Sequence, residues 1–458
     1  MTRRAYLHVG SPKTGTTFLQ QVLWAQRDLA RDQGLLLPLT RVTDHYYASL
    51  DVREVADEPH RPDEASGAWG RLVEEAKSWS GDVLVSHELF APATAEQAAR
   101  AVASLQDTFE VHIVVTARDL VRQVPAEWQQ HIKSRDVATL PEFIARLRAD
   151  EPRQSWFWTV QDFAGVLRRW GSTLPSSQLH VVTVPPASSP SAVLWERFAS
   201  LVGLTPGDFR LDGVRRNESL GAEQAELLRL VNAELGDRLP KPGPYHPVVI
   251  TLLAHRILSG RPGRRLALEP EDLEYAAQLS RGVADDLAAM GVDVVGDLAD
   301  LVPAERSTEA APETTTGYGV GGDTVRDEAV AALAGMLDAY SAKTVTSAAK
   351  RQQLRGRVDA ARAQLAEARR ARAEVRAELR ATRSQVTALT RRLTELQRRL
   401  ADVEAERNRL ADEARGPLHV LAAEVAERVP VLARVRGLYR RTVGFARSRA
   451  RSDGWGEG

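Results

Sequence analysis

Short apolar runs alternate with amphipathic stretches through the first half of the chain. Ala5-Tyr6-Leu7-His8-Val9, Gly34-Leu35-Leu36-Leu37-Pro38, the run from Asp82 to Phe90, the run from Glu110 to Asp119, and Leu179 to Pro185 have the length and composition of buried strands. Between them, residues 18–33, Trp69 to Trp79, Ala95 to Leu105 and Ala192 to Val202 carry apolar residues at helical spacing. Another helix is expected from Ala222, and more helices across residues 240–300. This alternation predicts an α/β fold, a parallel sheet with helices on both faces, whose ligands lie beyond the carboxyl ends of the strands. The polar ends of the strands at 5–9, 83–86 and 111–117 should therefore converge. From residue 140 to 170, Phe143, Trp156, Phe157, Trp158, Phe163 and Trp170 form an aromatic stripe that reads as core, and His180 reads as a packed residue within its strand.

The pattern then changes. Val302 to Thr324 is rich in Glu, Ala, Pro, Thr and Gly, a composition that builds no core, so it reads as a linker, followed by a helix over Thr324 to Tyr340. Leu354, Val358, Ala361 and Leu365 open a series of alternating four- and three-residue steps that continues through Leu389, Leu393, Leu396, Leu400 and Val403 to Leu410. Sustained a/d spacing predicts a long α-helical coiled coil. Arg372 and Arg407 at a positions favour a small oligomer, with a parallel homodimer expected ahead of a trimer. Pro417 to Pro430 reads as a short amphipathic helix. Leu432 to Arg451 interleaves arginines with Val435, Leu438, Tyr439 and Phe445, which suits peripheral contact with an anionic membrane. The expected organisation is a domain over 1–300, a linker with a short helix over 301–345, a coiled coil over 346–415 and a basic tail over 416–458.

Composition narrows the picture at few points. The 458 residues include 61 Lys plus Arg and 61 Asp plus Glu, so overall charge points to no partner, nucleic acid included. The chain has 0 Cys, which excludes disulfides, thiolate nucleophiles and cysteine zinc sites and suits a reducing cytoplasm. No signal peptide or membrane span is read, because Met1-Thr2-Arg3-Arg4 leads straight into the first strand. The expected location is cytoplasmic, with the tail at the inner membrane surface.

The chemistry concentrates in Gly10-Ser11-Pro12-Lys13-Thr14-Gly15-Thr16-Thr17, between the first strand and first helix. A glycine-bounded turn at a helix N-terminus presents backbone N–H groups and the helix dipole to a phosphate. The nucleoside triphosphate version places lysine directly after the second glycine. Here Thr16 stands there, and the lysine moves into the loop as Lys13. The P-K-x-G-T-T pattern with these flanks resembles the 5′-phosphosulfate loop of sulfotransferases that use 3′-phosphoadenosine 5′-phosphosulfate (PAPS). That resemblance implies a PAPS site formed by Ser11, Pro12, Lys13, Thr14, Gly15, Thr16 and Thr17. Gly15, Thr16 and Thr17 would bind the 5′-phosphate, and Lys13 would stabilise charge on the leaving oxygen.

The same resemblance extends over residues 5–235. Ser86-His87-Glu88 resembles the place where such enzymes keep a catalytic base, and His87 is favoured over Glu88 because imidazole titrates near neutrality. His45 is a weaker candidate. Arg118 ends its strand like the arginine that holds the 3′-phosphate. The serine usual eight positions later is Ala126, leaving Gln123, Lys133 or Ser134 as replacements. Arg215 and Arg216, before Asn217-Glu218-Ser219-Leu220, either close over the 3′-phosphate or precede a capped helix. The implied reaction moves a sulfonate to a hydroxyl or amine of a carbohydrate, glycolipid or small molecule, with no metal. A small-molecule kinase, disfavoured by Thr16, and a non-catalytic coiled-coil scaffold are the alternative readings.

Overall fold

The computed structural model describes residues 2–55, 63–213, 219–240, 243–303, 314–315 and 320–428. Six strands form one wholly parallel sheet: β1 (Arg4–Gly10), β2 (Leu35–Leu36), β3 (Asp82–Ser86), β4 (Glu110–Ala117), β5 (Leu179–Thr183) and, after a short β6 (Arg265–Leu266) outside the sheet, β7 (Asp293–Val295). Their order is β2-β3-β1-β4-β5-β7, with β1 central between β3 and β4. A parallel sheet needs a crossover between successive strands. The helices α1 (Thr16–Ala25), α2 (Arg27–Asp32), α3 (Val42–Val52), α4 (Ala68–Ser78), α5 (Ala95–Gln106), α6 (Leu120–Lys133), α7 (Leu140–Ala149), α8 (Trp156–Gln161), α9 (Phe163–Trp170) and α10 (Ala192–Leu201) supply them.

Strand alternation sends side chains to two cores. Tyr6, Leu84, Val114 and Val182 meet Leu19, Val22 and Leu23 of α1 and Trp195 and Phe198 of α10. Ala5, Leu7, Val9, Val83, Val85, Ile113 and Val115 face a larger cluster holding residues of α5, α6, α7 and α9. Both faces are covered, which is why these strands read as continuous apolar runs. The aromatic stripe is core: Phe143, Phe157, Trp158, Phe163 and Trp170 are buried, and Trp170 donates to the Phe90 carbonyl at 3.1 Å; Trp156 alone of the set is exposed.

Helix starts follow local chemistry. Thr94 and Gln97 form a capping box on α5, Thr139 and Glu142 do the same on α7, and Asp119 caps α6 by accepting from the Arg122 N–H at 2.8 Å. Beyond α11 (Ala222–Leu235), residues His246–Leu258 wind as a π-type helix, followed by α12 (Pro270–Ala289). Helices were expected here, but β7 was not. Three residues are too few to show a period, yet they extend the sheet beside β5.

His180 is more than packing: its Nδ1 lies 2.7 Å from the exposed-side carboxylate of Asp293 and its Nε2 lies 2.8 Å from His112 Nδ1. The linker expectation also changes. β8 (Thr314–Thr315) pairs with β6, and Val320, Val325 and Ala332 join the domain's core.

One helix, α13 (Gly322–Arg428), replaces the separate helices expected from Thr324 onward. Its backbone passes through Gly356, Gly416 and Pro417, because one lost hydrogen bond does not end a helix with many others. The chain forms two compact units, Met1–Thr344 and Val345–Gly458, so the first turns of α13 belong to the first unit. In the second unit the heptad side chains are open: Leu379 is 67% exposed and Leu389 66%. The basic tail from residue 429 lies outside the described residues. No helix among the described residues is long and apolar enough to cross a membrane.

Candidate active site

The site lies at the carboxyl ends of β1, β3 and β4. The β1/β4 register shifts between His8 and Gly10, beyond which Gly10 still pairs with Val115 and the Ser11 N–H donates to the Thr116 carbonyl at 3.3 Å. Beneath the turn, three strands are joined by side chains. His8 lies 2.8 Å from Ser86 Oγ and 3.3 Å from Thr116 Oγ1, Thr116 donates to the Gly10 carbonyl at 3.1 Å, and Thr14 Oγ1 pairs with Thr116 and lies 2.6 Å from the Ser11 carbonyl. His8 is fully buried, and burial holds its imidazole down to about 3, so it stays neutral.

The turn needs its glycines. Gly10 has φ +117°, and a Cβ there would sit 3.1 Å from the Glu88 Cα. Gly15 has φ +92°, and a Cβ there would sit 2.5 Å from Leu194 Cδ2. Gly15 is also the N-cap of α1, which has no side-chain cap, so the first-turn N–H groups at Thr16 and Thr17 face the loop. Lys13 itself takes φ +63°, turning its side chain back across the sheet ends.

Lys13 is half-buried, and its ammonium donates to Gln130 Oε1 on α6 at 2.8 Å. Burial lowers its pKa, while Glu127 and then Glu88 pull it back up. Arg118 donates from Nη1 to the Lys13 carbonyl at 3.2 Å. Its Nε is buried without a partner among the described residues, as is Ser11 Oγ. Burial brings the guanidinium down to about 10, so it remains cationic at neutral pH. Two orphaned buried polar atoms beside an uncapped helix start, with two half-buried cations, fit an anionic ligand, and a phosphate supplies acceptors for them.

His87 and Glu88 follow β3 directly. His87 Nδ1 accepts from the Leu89 N–H at 3.1 Å, so the neutral ring carries its proton on Nε2 and offers a donor there. Burial lowers its pKa, with Glu88 opposing. Glu88 lies closer to the loop, its backbone against Gly10 and its Oε2 accepting from Gln20 Nε2 at 3.3 Å. His45 is fully engaged: Nε2 donates to the Pro38 carbonyl at 2.9 Å, and Nδ1 accepts from the Ser86 N–H at 3.2 Å. Arg216 and Arg215 lie outside the described residues.

The sequence reading missed Glu127 and Gln130. Gln123, Glu127, Gln130 and Lys133 follow helical spacing on α6, while Val124, Trp128 and Ile132 form its apolar stripe. Gln123 donates to the Pro12 carbonyl at 2.6 Å, and Gln161 Nε2 lies 3.2 Å from that carbonyl and 3.0 Å from Glu127 Oε1. Gln123 thus braces the loop with its amide nitrogen. Burial pushes the Glu127 carboxyl up to about 6, with Lys13 and Gln161 opposing. Polar residues at helical spacing after the arginine strand were the signal available.

No protein-family model and no curated protein matches the chain. Among solved structures it is similar to the crystal structure of a sulfotransferase from Alicyclobacillus acidocaldarius, at a TM-score of 0.36 and 13% identity over 64% of this chain and 96% of that one.

Proposed function

We propose that the chain is a sulfotransferase that uses PAPS and delivers its sulfonate to a hydroxyl or amine of a carbohydrate, glycolipid or small-molecule acceptor. The observation that carries this reading is the loop itself: a half-buried lysine at mid-turn, and a threonine opening α1 where a triphosphate site keeps its lysine. The donor supplies an activated sulfonate on its 5′-phosphate. Ser11, Pro12, Thr14, Gly15, Thr16 and Thr17 would line that phosphate, and Arg118 would take the 3′-phosphate with the guanidinium nitrogen that lacks a partner. Lys13 would swing from Gln130 to the bridging oxygen, where a fixed cation stabilises developing charge. His87, favoured as the base from the sequence, accepts from the Leu89 N–H on Nδ1 and so carries its proton on Nε2; Glu88 would instead accept the acceptor's proton, and His87 would orient the acceptor by donating a hydrogen bond.

Titration calorimetry with 3′-phosphoadenosine 5′-phosphate on the wild type, Arg118→Ala and Arg118→Lys tests the donor site. Loss of the guanidinium should weaken binding by about 10- to 100-fold, as for a hydrogen-bonded charge pair, and lysine should restore little of it. Equal affinity in all three would remove Arg118 from the site and the donor with it.

A further inference from the structure

Lys133, a candidate 3′-phosphate contact in the sequence, stands at the end of α6 opposite Arg118, and the proposed reaction leaves it unused. It closes α6 at 7% exposure, and its ammonium has no hydrogen bond and no carboxylate partner among the described residues. The C-terminal dipole of α6 favours a positive charge there, but burying an ammonium without a counter-charge costs far more than that interaction recovers.

Its neighbourhood is cationic as well. Lys133 lies one turn beyond Gln130, which accepts from Lys13 at 2.8 Å, and the nearby Lys13 charge works with burial to bring Lys133 down to about 8. His255 stands on the π-type helix that packs against α6. Burial lowers its imidazole, followed by the charges of Lys133, Lys13 and His246. Glu127 and Glu88 act on Lys13, whereas no carboxylate among the described residues acts on Lys133. His255 is exposed and, with its pKa lowered, stands beside the two lysines as a neutral imidazole.

We infer that Lys133, with Lys13 and His255, seats an anionic group of the acceptor, so that the acceptor is a hydroxyl or amine compound also bearing a phosphate, sulfate or carboxylate. This rests on the sulfotransferase reading. The donor's 3′-phosphate is assigned to Arg118, just before α6, whereas Lys133 closes that 14-residue helix, roughly 20 Å along its axis. Lys13 and Gln130 lie between, at the height where transfer takes place. An anion held there turns an unpaired buried charge into an ion pair.

The test is calorimetric titration of inorganic sulfate, with phosphate and acetate run alongside, into the full-length chain saturated with 3′-phosphoadenosine 5′-phosphate. The wild type, Lys133→Met and His255→Asn are compared after melting curves establish that each is folded. Saturable sulfate binding is expected, at least tenfold weaker in Lys133→Met and two- to threefold weaker in His255→Asn, with nucleotide affinity within twofold throughout. Tighter sulfate or phosphate than acetate would assign a tetrahedral oxyanion; the reverse would assign a carboxylate, and either supports the seat. Sulfate binding unchanged in Lys133→Met overturns it, as does a parallel fall in nucleotide affinity, which would give Lys133 to the donor. Sulfate binding that depends on Lys133 in a wild type unable to bind the nucleotide supports the anion seat and overturns the donor reading instead.

Discussion

Buried ionisable side chains are spread through the sheet and α6, and protonating them lowers stability on both sides of neutrality. His8 is held at about 3, and His45 and His112 at about 4, in each case chiefly by burial. Between those values and the ordinary histidine pKa near 6.5, the unfolded chain binds more protons than the folded one, so stability falls as pH drops through that window. Each such histidine contributes a slope of about 1.4 kcal/mol per pH unit. Urea denaturation from pH 6.5 to 4.5 should show the slope in the wild type, and a shallower one in His8→Gln; equal slopes would place His8's titration elsewhere. Lys133 acts on the other side. Its pKa is lowered to about 8 from 10.5, so the folded chain binds fewer protons above pH 8, and stability should rise from there toward pH 10.5. That rise should be reduced in Lys133→Met. None of these environments was legible from residue type: His8 sits in an apolar run, and only the pairing of β1 with β3 and β4 shows that Ser86 and Thr116 meet it.

At the scale of elements, the site depends on how one turn is braced by one helix. Gly15 is the vulnerable joint, because its φ of +92° and its approach to Leu194 both disfavour a side chain. Gly15→Ala should lower the unfolding free energy by about 1–3 kcal/mol and weaken nucleotide binding together; unchanged stability would contradict the turn described here. The strand-turn-helix unit and the parallel sheet were legible in the sequence. Strand runs, glycine spacing and chain order specify them without long-range information. α6 was only half legible. Its apolar stripe is plain, but in its second stripe Gln123 and Lys133 read only as candidate phosphate contacts, and Glu127 and Gln130 gain a role only when the loop's Pro12 and Lys13 are seen against the helix. β7 and β8 were illegible for a different reason: two or three residues carry no periodicity, and only a neighbouring strand makes them strands.

For the whole molecule, the exposed heptad seam and the donor site make separate claims. Leu389, Leu393 and Leu396 are 66%, 58% and 55% exposed, and an apolar seam of this length is expected to find another copy. Sedimentation equilibrium of the full chain should give a dimer, and Leu389→Lys with Leu396→Lys should shift it toward monomer; a monomeric wild type would contradict the coiled coil. The start of α13 is built into the first unit, where Glu328 pairs with Arg261 at 2.8 Å and Gly335 adjoins Ile257 of the π-type helix. The central claim is about the nucleotide that the loop selects. It is tested most directly by titrating the wild type with 3′-phosphoadenosine 5′-phosphate and with ATP, each with and without magnesium. The account predicts tight binding of the bisphosphate unaffected by magnesium, and weak binding of ATP. Magnesium-dependent ATP binding tighter than that of the bisphosphate would contradict it.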